Sequence, residues 1–295
     1  MIHPLRRLLF LTIILAVVGL GQAADSPPVR PIERGARIAI AGHSFHVGIE
    51  WFLQRIAQAA GLPEQAVVGK VFVGNSQVIQ VWNVAEATNA VKRALRAGTV
   101  DVLTLSPHTL LPDPGIDKFV DLGRAANPNL RVTLQESWFP YDGDLKSVQD
   151  PDPEHKGPTD WDAKSAATLH ANEAAYYREL AAQAQAINAR CGKPVVFVVP
   201  TARALLALRE KIRHGEAPGL QRQAELFSDR MGHPSPALLL LNTYCHYAVI
   251  YRRSPQGLPA LENVKGVSPE LNRLLTKLAW DTVIAEPLSG VRPGY

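Results

Sequence analysis

The chain has 295 residues, 46% of them hydrophobic and 20% charged, a balance that suits a globular protein with a sizeable core. Its formal net charge is +4 and the basic residues are scattered, so no nucleic-acid-binding surface is predicted. We interpret the mild basicity as a solubility property.

The first segment, residues 1–23, has the build of a secretory signal peptide. Arg6 and Arg7 precede an apolar run over 8–20, and Gly-Gln-Ala at 21–23 provides a cleavage site. The run of about thirteen residues is shorter than the roughly 20 that span a bilayer, which disfavours the alternative of an uncleaved anchor. We therefore expect a secreted or periplasmic protein with no stable membrane insertion after cleavage.

Five short apolar segments are predicted to be strands. After a linker at 24–35, they lie at 37–42, 66–74, 101–106, 130–137 and 194–200. Helical patterns lie at 48–60, 84–97, 164–190, 202–213, 236–251 and 268–285. Short, mostly β-branched strands separated by helices predict a mostly parallel five-stranded sheet that is covered on both faces, a three-layer α/β/α sandwich.

The organisation of the chain indicates a single domain over 36–285. Residues 138–163 are rich in Pro, Asp and Gly and predict a long loop, and loops of this length in compact domains are often functional. Residues 286–295 are predicted to form an irregular tail. Cys191 and Cys245 each lie beside an apolar stretch, and the sequence leaves open whether they form a disulfide.

The stretch RIAIAGHSFH at 37–46 places Ser44 just after the first strand. In open α/β folds, ligands and chemistry lie at the carboxyl edge of the sheet. Ser44 is therefore a candidate nucleophile, and the alternative is that it caps the helix at 48–60. Asp229 and His233 precede the apolar helix at 236–251, and they have the identities of the acid and base that serine hydrolysis needs.

These motifs together resemble the SGNH (GDSL-type) hydrolase superfamily over roughly residues 36–258. The resemblance rests on Gly42-x-Ser44 after the first strand, on Gly74 after the second, and on the late Asp229 and His233. It implies an SGNH/flavodoxin-like α/β/α sandwich that hydrolyses esters through an acyl-enzyme.

The resemblance also assigns roles. Ser44 would be the nucleophile, His233 the general base and Asp229 the group that orients it. The backbone N–H groups of Ser44 and Gly74 would form the oxyanion hole.

Three positions depart from the family pattern. His43 stands where Asp or Asn usually precedes the serine, no Asn follows the third strand, and Asp229 and His233 are one residue further apart than usual. Asn75 or His108 is a candidate for the missing oxyanion donor. We also expect His43, Glu136 and Trp138 to contact substrate, with Trp138 stacking on a sugar ring or, alternatively, packing under the loop.

The leading hypothesis is a secreted ester hydrolase that removes acyl groups from carbohydrate or another small molecule, with no cofactor and no metal. The main alternative is a non-catalytic ligand- or glycan-binding protein on a degenerate SGNH scaffold, which the three departures favour. A third hypothesis is a metal-dependent hydrolase, because His43, His46 and His108 are predicted at the same sheet edge and histidine is a zinc ligand.

Overall fold

The computed structural model describes residues 30–108, 111–143 and 159–292. The predicted signal peptide lies outside the described residues, as does the middle of the predicted loop at 138–163. These two interpretations stay predictions.

Five strands form one parallel sheet, which confirms the predicted three-layer architecture. They are β1 (Arg37–Gly42), β2 (Ala66–Phe72), β3 (Val102–Leu105), β4 (Arg131–Gln135) and β5 (Val196–Val199). The strand order is β2-β1-β3-β4-β5, and all four neighbouring pairs run parallel. The order reverses between β1 and β3, so the crevice where such folds bind ligands opens at the carboxyl ends of these two strands.

Eight α-helices in the described residues cover the sheet. They are α1 (Ile49–Ala59), α2 (Val78–Asn83), α3 (Ala90–Arg96), α4 (Pro114–Ala126), α5 (Ala166–Cys191), α6 (Thr201–Arg213), α7 (Pro236–Tyr251) and α8 (Pro269–Ala285). Helices α1, α6, α7 and α8 pack on one face, and α2 to α5 pack on the other. Alternate residues of β1 serve the two faces, with Ile38 and Ile40 on the first and Ala39 and Ala41 on the second.

The helices between β2 and β4 differ from the prediction. The predicted helix at 84–97 is shorter in the structure, because Asn89 caps α3 by accepting a hydrogen bond from the Lys92 N–H, and the helix covers only Ala90–Arg96. Helices α2 and α4 were not predicted from the sequence. Asp113 precedes α4 and accepts from Gly115 N of that helix and from Val78 N and Ile79 N of α2, so one buried carboxylate caps two helices.

The two cysteines are both free, and they pack into cores on opposite faces of the sheet. The sheet therefore separates them, so they cannot form a disulfide with each other without rearrangement of the fold. The described part of the C-terminal segment is irregular and packs against the sheet: Leu288 O accepts from Val198 N of β5, and Glu286 is buried.

Candidate active site

Ser44 occupies a tight turn at the carboxyl end of β1. A 3₁₀ turn spans Ser44–His46, and it follows Gly42, the last residue of β1. A Cβ on Gly42 would lie 2.8 Å from the Ser106 Cβ and 3.0 Å from the His46 Nδ1, so only glycine lets β1 end this close to its neighbours. Ser44 is part-exposed, whereas His43 and Phe45 on either side are buried.

Asp229 and His233 lie on a closed loop that leads into α7. Phe227 and Pro234 form an antiparallel bridge that closes the loop. Within it, Asp229 Oδ1 accepts hydrogen bonds from the N–H groups of Met231, Gly232 and His233 at 3.0, 3.0 and 3.1 Å. Gly232 has a φ of +105°, in the region that favours glycine, and this accommodates the extra residue in the Asp-to-His spacing.

The structure brings the three predicted residues into one hydrogen-bonded chain. His233 Nε2 lies 2.7 Å from Ser44 Oγ, and His233 Nδ1 lies 2.5 Å from Asp229 Oδ2. An ionised carboxylate can only accept, so Nδ1 carries the proton and Nε2 presents its lone pair to the serine hydroxyl. Burial acts to raise the pKa of Asp229, but hydrogen bonds from the His233 side chain and backbone outweigh it and lower that pKa.

Gly74 and Ser44 occupy matching positions on adjacent strands. Gly42 pairs with Phe72, so Ser44 and Gly74 each lie two residues beyond the last pair of their strands. Among the described residues, neither backbone N–H has a protein acceptor. A Cβ on Gly74 would meet nothing within 4 Å, so the space before this residue is open. These N–H groups are available to an incoming oxyanion.

The two candidates for a third donor lie at the same edge. Asn75 is exposed and has a φ of +49°. His108 follows β3, and its ring contacts the ring of His43 with centroids 5.3 Å apart. Burial lowers the pKa of His108, which favours the neutral imidazole.

His43 is buried, so its side chain is not positioned to bind substrate as predicted. It is 2% exposed, and its Nδ1 accepts from Phe45 N. Its Nε2 must therefore carry the proton and donate to Ser106 Oγ, 3.0 Å away. A nitrogen that donates cannot remove a proton from serine, so the contact between His43 and Ser106 is a structural pair and not a catalytic one.

Glu136 and Trp138 are also buried, contrary to the prediction that they line the crevice. The carboxylate of Glu136 is fully enclosed, and it contacts Arg203 at 3.3 Å. Trp138 is 7% exposed, and its ring stacks on Phe45 with centroids 4.9 Å apart. A ring in this position cannot stack on a sugar. Trp138 is thus packed inside the protein, in agreement with the alternative interpretation, and Glu136 points into the core.

Two further histidines lie in the core beneath the site. The rings of His46 and His246 stack with centroids 5.3 Å apart, and both side chains are fully buried. His46 Nε2 contacts Thr104 Oγ1, and His246 Nε2 donates to Gln135 Oε1. Burial lowers the pKa of His46 well below its ordinary value, and it lowers that of His246 to about 3. Burial, helped by His108 and His46, lowers the pKa of His43 to about 3.

These three histidines predict acid sensitivity. In the unfolded chain they bind protons below their ordinary pKa of about 6.5. In the folded chain His43 and His246 stay neutral to about pH 3, and burial also lowers the pKa of His46, so stability falls as the pH drops through this window. His43 and His246 together remove about 4 kcal/mol between pH 7 and pH 5. His46 adds to this loss, and the raised pKa of the buried Glu136 offsets part of it. We expect a lower unfolding free energy at pH 5 than at pH 7, measured by urea unfolding at both pH values.

The variant His246→Gln keeps a side-chain donor for Gln135 but removes one titrating group. It should make the pH dependence of the unfolding free energy shallower by about 1.4 kcal/mol per pH unit. An unfolding free energy that does not change between pH 7 and pH 5 would contradict the assignment of three neutral, buried imidazoles.

The predicted histidine group does not form a metal site. Among the described residues, no three His, Cys, Asp or Glu side chains come together in an arrangement that could hold a metal ion. His43 and His46 direct their Nε2 atoms to different partners, Ser106 and Thr104.

Comparison with known proteins finds similarity of structure and not of sequence. No protein-family model matches the chain, and no curated protein matches it either. A solved structure of a DUF4886 family protein from Bacteroides uniformis superposes with a TM-score of 0.56 at 12% identity, covering 85% of this chain and 95% of that one. The chain has a flavodoxin-like α/β fold, which it shares with that protein.

Two further structural neighbours are named as hydrolases. One is a candidate SGNH hydrolase from Slackia heliotrinireducens, with a TM-score of 0.44, 18% identity and coverage of 72% of this chain and 98% of that one. The other is a candidate GDSL-like lipase from Parabacteroides merdae, with a TM-score of 0.45, 13% identity and coverage of 75% and 97%.

Proposed function

We propose that this protein is a serine ester hydrolase in which Ser44 forms an acyl-enzyme. The observation that carries the proposal is the continuous contact from Asp229 through His233 to Ser44, with His233 Nε2 2.7 Å from the hydroxyl oxygen. Hydrogen-bond contact of nucleophile and base, with a third group orienting the base, is the arrangement that activates a serine. The open space before Gly74 supports the same reading.

In the acylation step, Ser44 Oγ attacks the ester carbonyl carbon while His233 Nε2 accepts the hydroxyl proton. The carbonyl oxygen becomes an oxyanion, and the backbone N–H groups of Ser44 and Gly74 donate to it. The bond between the carbonyl carbon and the alcohol oxygen then breaks, and His233 returns its proton to the leaving alcohol.

In the deacylation step, water attacks the acyl-enzyme and His233 accepts a water proton. The tetrahedral intermediate collapses, the carboxylic acid leaves, and Ser44 regains its proton from the imidazolium. Asp229 remains ionised throughout and stabilises the imidazolium.

We propose acylated carbohydrate as the substrate class and an exported protein as its setting. The substrate class rests on the resemblance to SGNH esterases alone, because the buried Trp138 does not support it. The export rests on the signal-peptide pattern of residues 1–23.

A fluorophosphonate probe tests the proposed chemistry, because it labels only an activated serine. We expect stoichiometric labelling of the purified protein, a labelled peptide that contains Ser44, and no label on Ser44→Ala. The labelling should also be indifferent to a chelator, which separates the proposal from the metal-dependent alternative.

Ser106→Ala is the matched control, since Ser106 is another serine in contact with a histidine. This variant should retain the label. A folded wild-type protein that takes no label, or a label that persists on Ser44→Ala, would overturn the proposal and favour the binding-protein alternative.

A further inference from the structure

The loop that carries Asp229 and His233 forms hydrogen bonds with other segments of the chain as well as within itself. Three consecutive backbone carbonyls of this loop accept hydrogen bonds from two segments that are distant in sequence. The bonds are Thr159 Oγ1 to Arg230 O at 2.5 Å, Tyr141 N to Met231 O at 2.9 Å and Trp138 Nε1 to Gly232 O at 2.9 Å. These three external bonds are all accepted by backbone carbonyls of the loop.

The hydrogen bonds within the loop hold Asp229 and His233 together. Asp229 accepts the N–H groups of the loop and the His233 Nδ1 proton, all within four residues. The Asp229–His233 pair is therefore a property of the loop itself. The distance from His233 Nε2 to Ser44 Oγ joins positions 189 residues apart, so it depends on how the whole loop is docked.

Of the three donors, Trp138 also contacts the nucleophile turn. Its ring stacks on Phe45, the residue after Ser44, with an interplanar angle of 9°. Phe45 in turn meets the His233 ring edge to face, with centroids 5.2 Å apart. Trp138 thus connects the turn that presents the hydroxyl with the loop that presents the imidazole.

The segment that carries Trp138 is anchored in the core. Arg209 is 1% exposed, and its guanidinium donates to both carboxylate oxygens of Asp142 at 2.7 and 3.0 Å. It also donates to Trp161 O, on the segment that carries Thr159. Tyr141 and Asp142 have φ values of 52° and 56°, a left-handed conformation that costs free energy and persists only where the surroundings enforce it.

We propose that Trp138 is a positioning residue for the hydrolysis: its indole N–H sets the docking of the Asp229–His233 loop and so the approach of the imidazole to Ser44. This role rests on the proposed function. It predicts that loss of the indole N–H leaves the Asp229–His233 pair intact but moves it relative to Ser44. A displacement of this kind of about 1 Å can reduce a rate about a hundredfold.

The test compares Trp138→Phe with the wild-type protein. Phenylalanine keeps an aromatic ring against Phe45 but cannot donate to Gly232 O. We expect the maximal rate of fluorophosphonate inactivation, and kcat for p-nitrophenyl acetate, to fall about ten- to a hundredfold, with KM changed less than twofold. The low-field NMR resonance of the His233 Nδ1 proton should persist. A purely structural role for Trp138 would lower only the melting temperature.

Two further variants sharpen the test. Thr159→Val removes an independent external bond, to Arg230 O, and should lower the inactivation rate by a smaller factor. Trp280→Phe makes the same substitution on α8, in the same core cluster as Trp138 but outside the site, and should leave the rate unchanged.

Each outcome is decisive. Inactivation of Trp138→Phe within twofold of the wild-type rate overturns the positioning role while leaving the proposed function in place. Loss of the Nδ1 resonance shows that Trp138 maintains the loop's own fold, which overturns it as well. Absence of labelling of the wild-type protein removes the proposed function, and the positioning role with it.

Discussion

His233→Ala is expected to lower kcat/KM for ester hydrolysis by about 10⁴- to 10⁶-fold. The imidazole is the group that removes the Ser44 proton and returns it to the leaving alcohol, and no other base contacts Ser44 Oγ in the described residues. The measurement is a steady-state assay with p-nitrophenyl acetate, with active-site titration to correct for inactive protein. Added imidazole should restore part of the activity, because it can enter the space left by the side chain.

His214→Ala is the matched control for this prediction. His214 is exposed and follows α6, away from the site, so its removal should change kcat/KM less than twofold. If His233→Ala retained more than about a tenth of the wild-type kcat/KM, the assignment of His233 as the base would fail.

Arg209→Met is expected to cost about 3–5 kcal/mol of unfolding free energy. Methionine preserves much of the buried volume but leaves the Asp142 carboxylate buried without its partner, and it leaves Gln223 Oε1 and Trp161 O without donors. An uncompensated buried charge is more costly than the absence of both partners. Urea unfolding at pH 7 measures the change.

The same substitution one turn later provides the control. Arg213→Met removes a part-exposed pair with Glu210 and should cost less than about 1 kcal/mol. In the double variant Arg209→Met/Asp142→Asn the carboxylate charge is gone, so the loss should be smaller than in Arg209→Met alone. A double variant that is less stable than Arg209→Met would contradict the ion-pair explanation.

Local patterns in the sequence were sufficient for much of the sheet. All five predicted strands exist, because apolar β-branched runs report burial on both faces of a parallel sheet. Helix α4 was not predicted, even though Asp113 and Pro114 at its start are typical of a helix N-terminus. Helix α2 was not predicted either, and α3 was predicted to begin at 84 because Asn89 was not recognised as its cap.

In the candidate site, too, some residues could be predicted from the sequence and others could not. The prediction named Ser44, Asp229 and His233 from their residue types and positions, and the structure places them in contact, while their chemical roles stay a proposal. His43, Glu136 and Trp138 were expected to face substrate because they lie at the carboxyl edge of the sheet. Position at an edge does not specify which way a side chain points, and all three point inward.

The sequence by itself determined the strands and the Asp229–His233 pair, since each depends on residues that are close along the chain. The alternation of short apolar strands with helices was enough to predict that the sheet is parallel. The tertiary structure decided the rest. The contact of His233 with Ser44 spans 189 residues, and the bond from Trp138 to Gly232 spans 94. Contacts at these separations form only when distant segments pack together. Local periodicity and spacing therefore do not specify which distant side chain contacts the site.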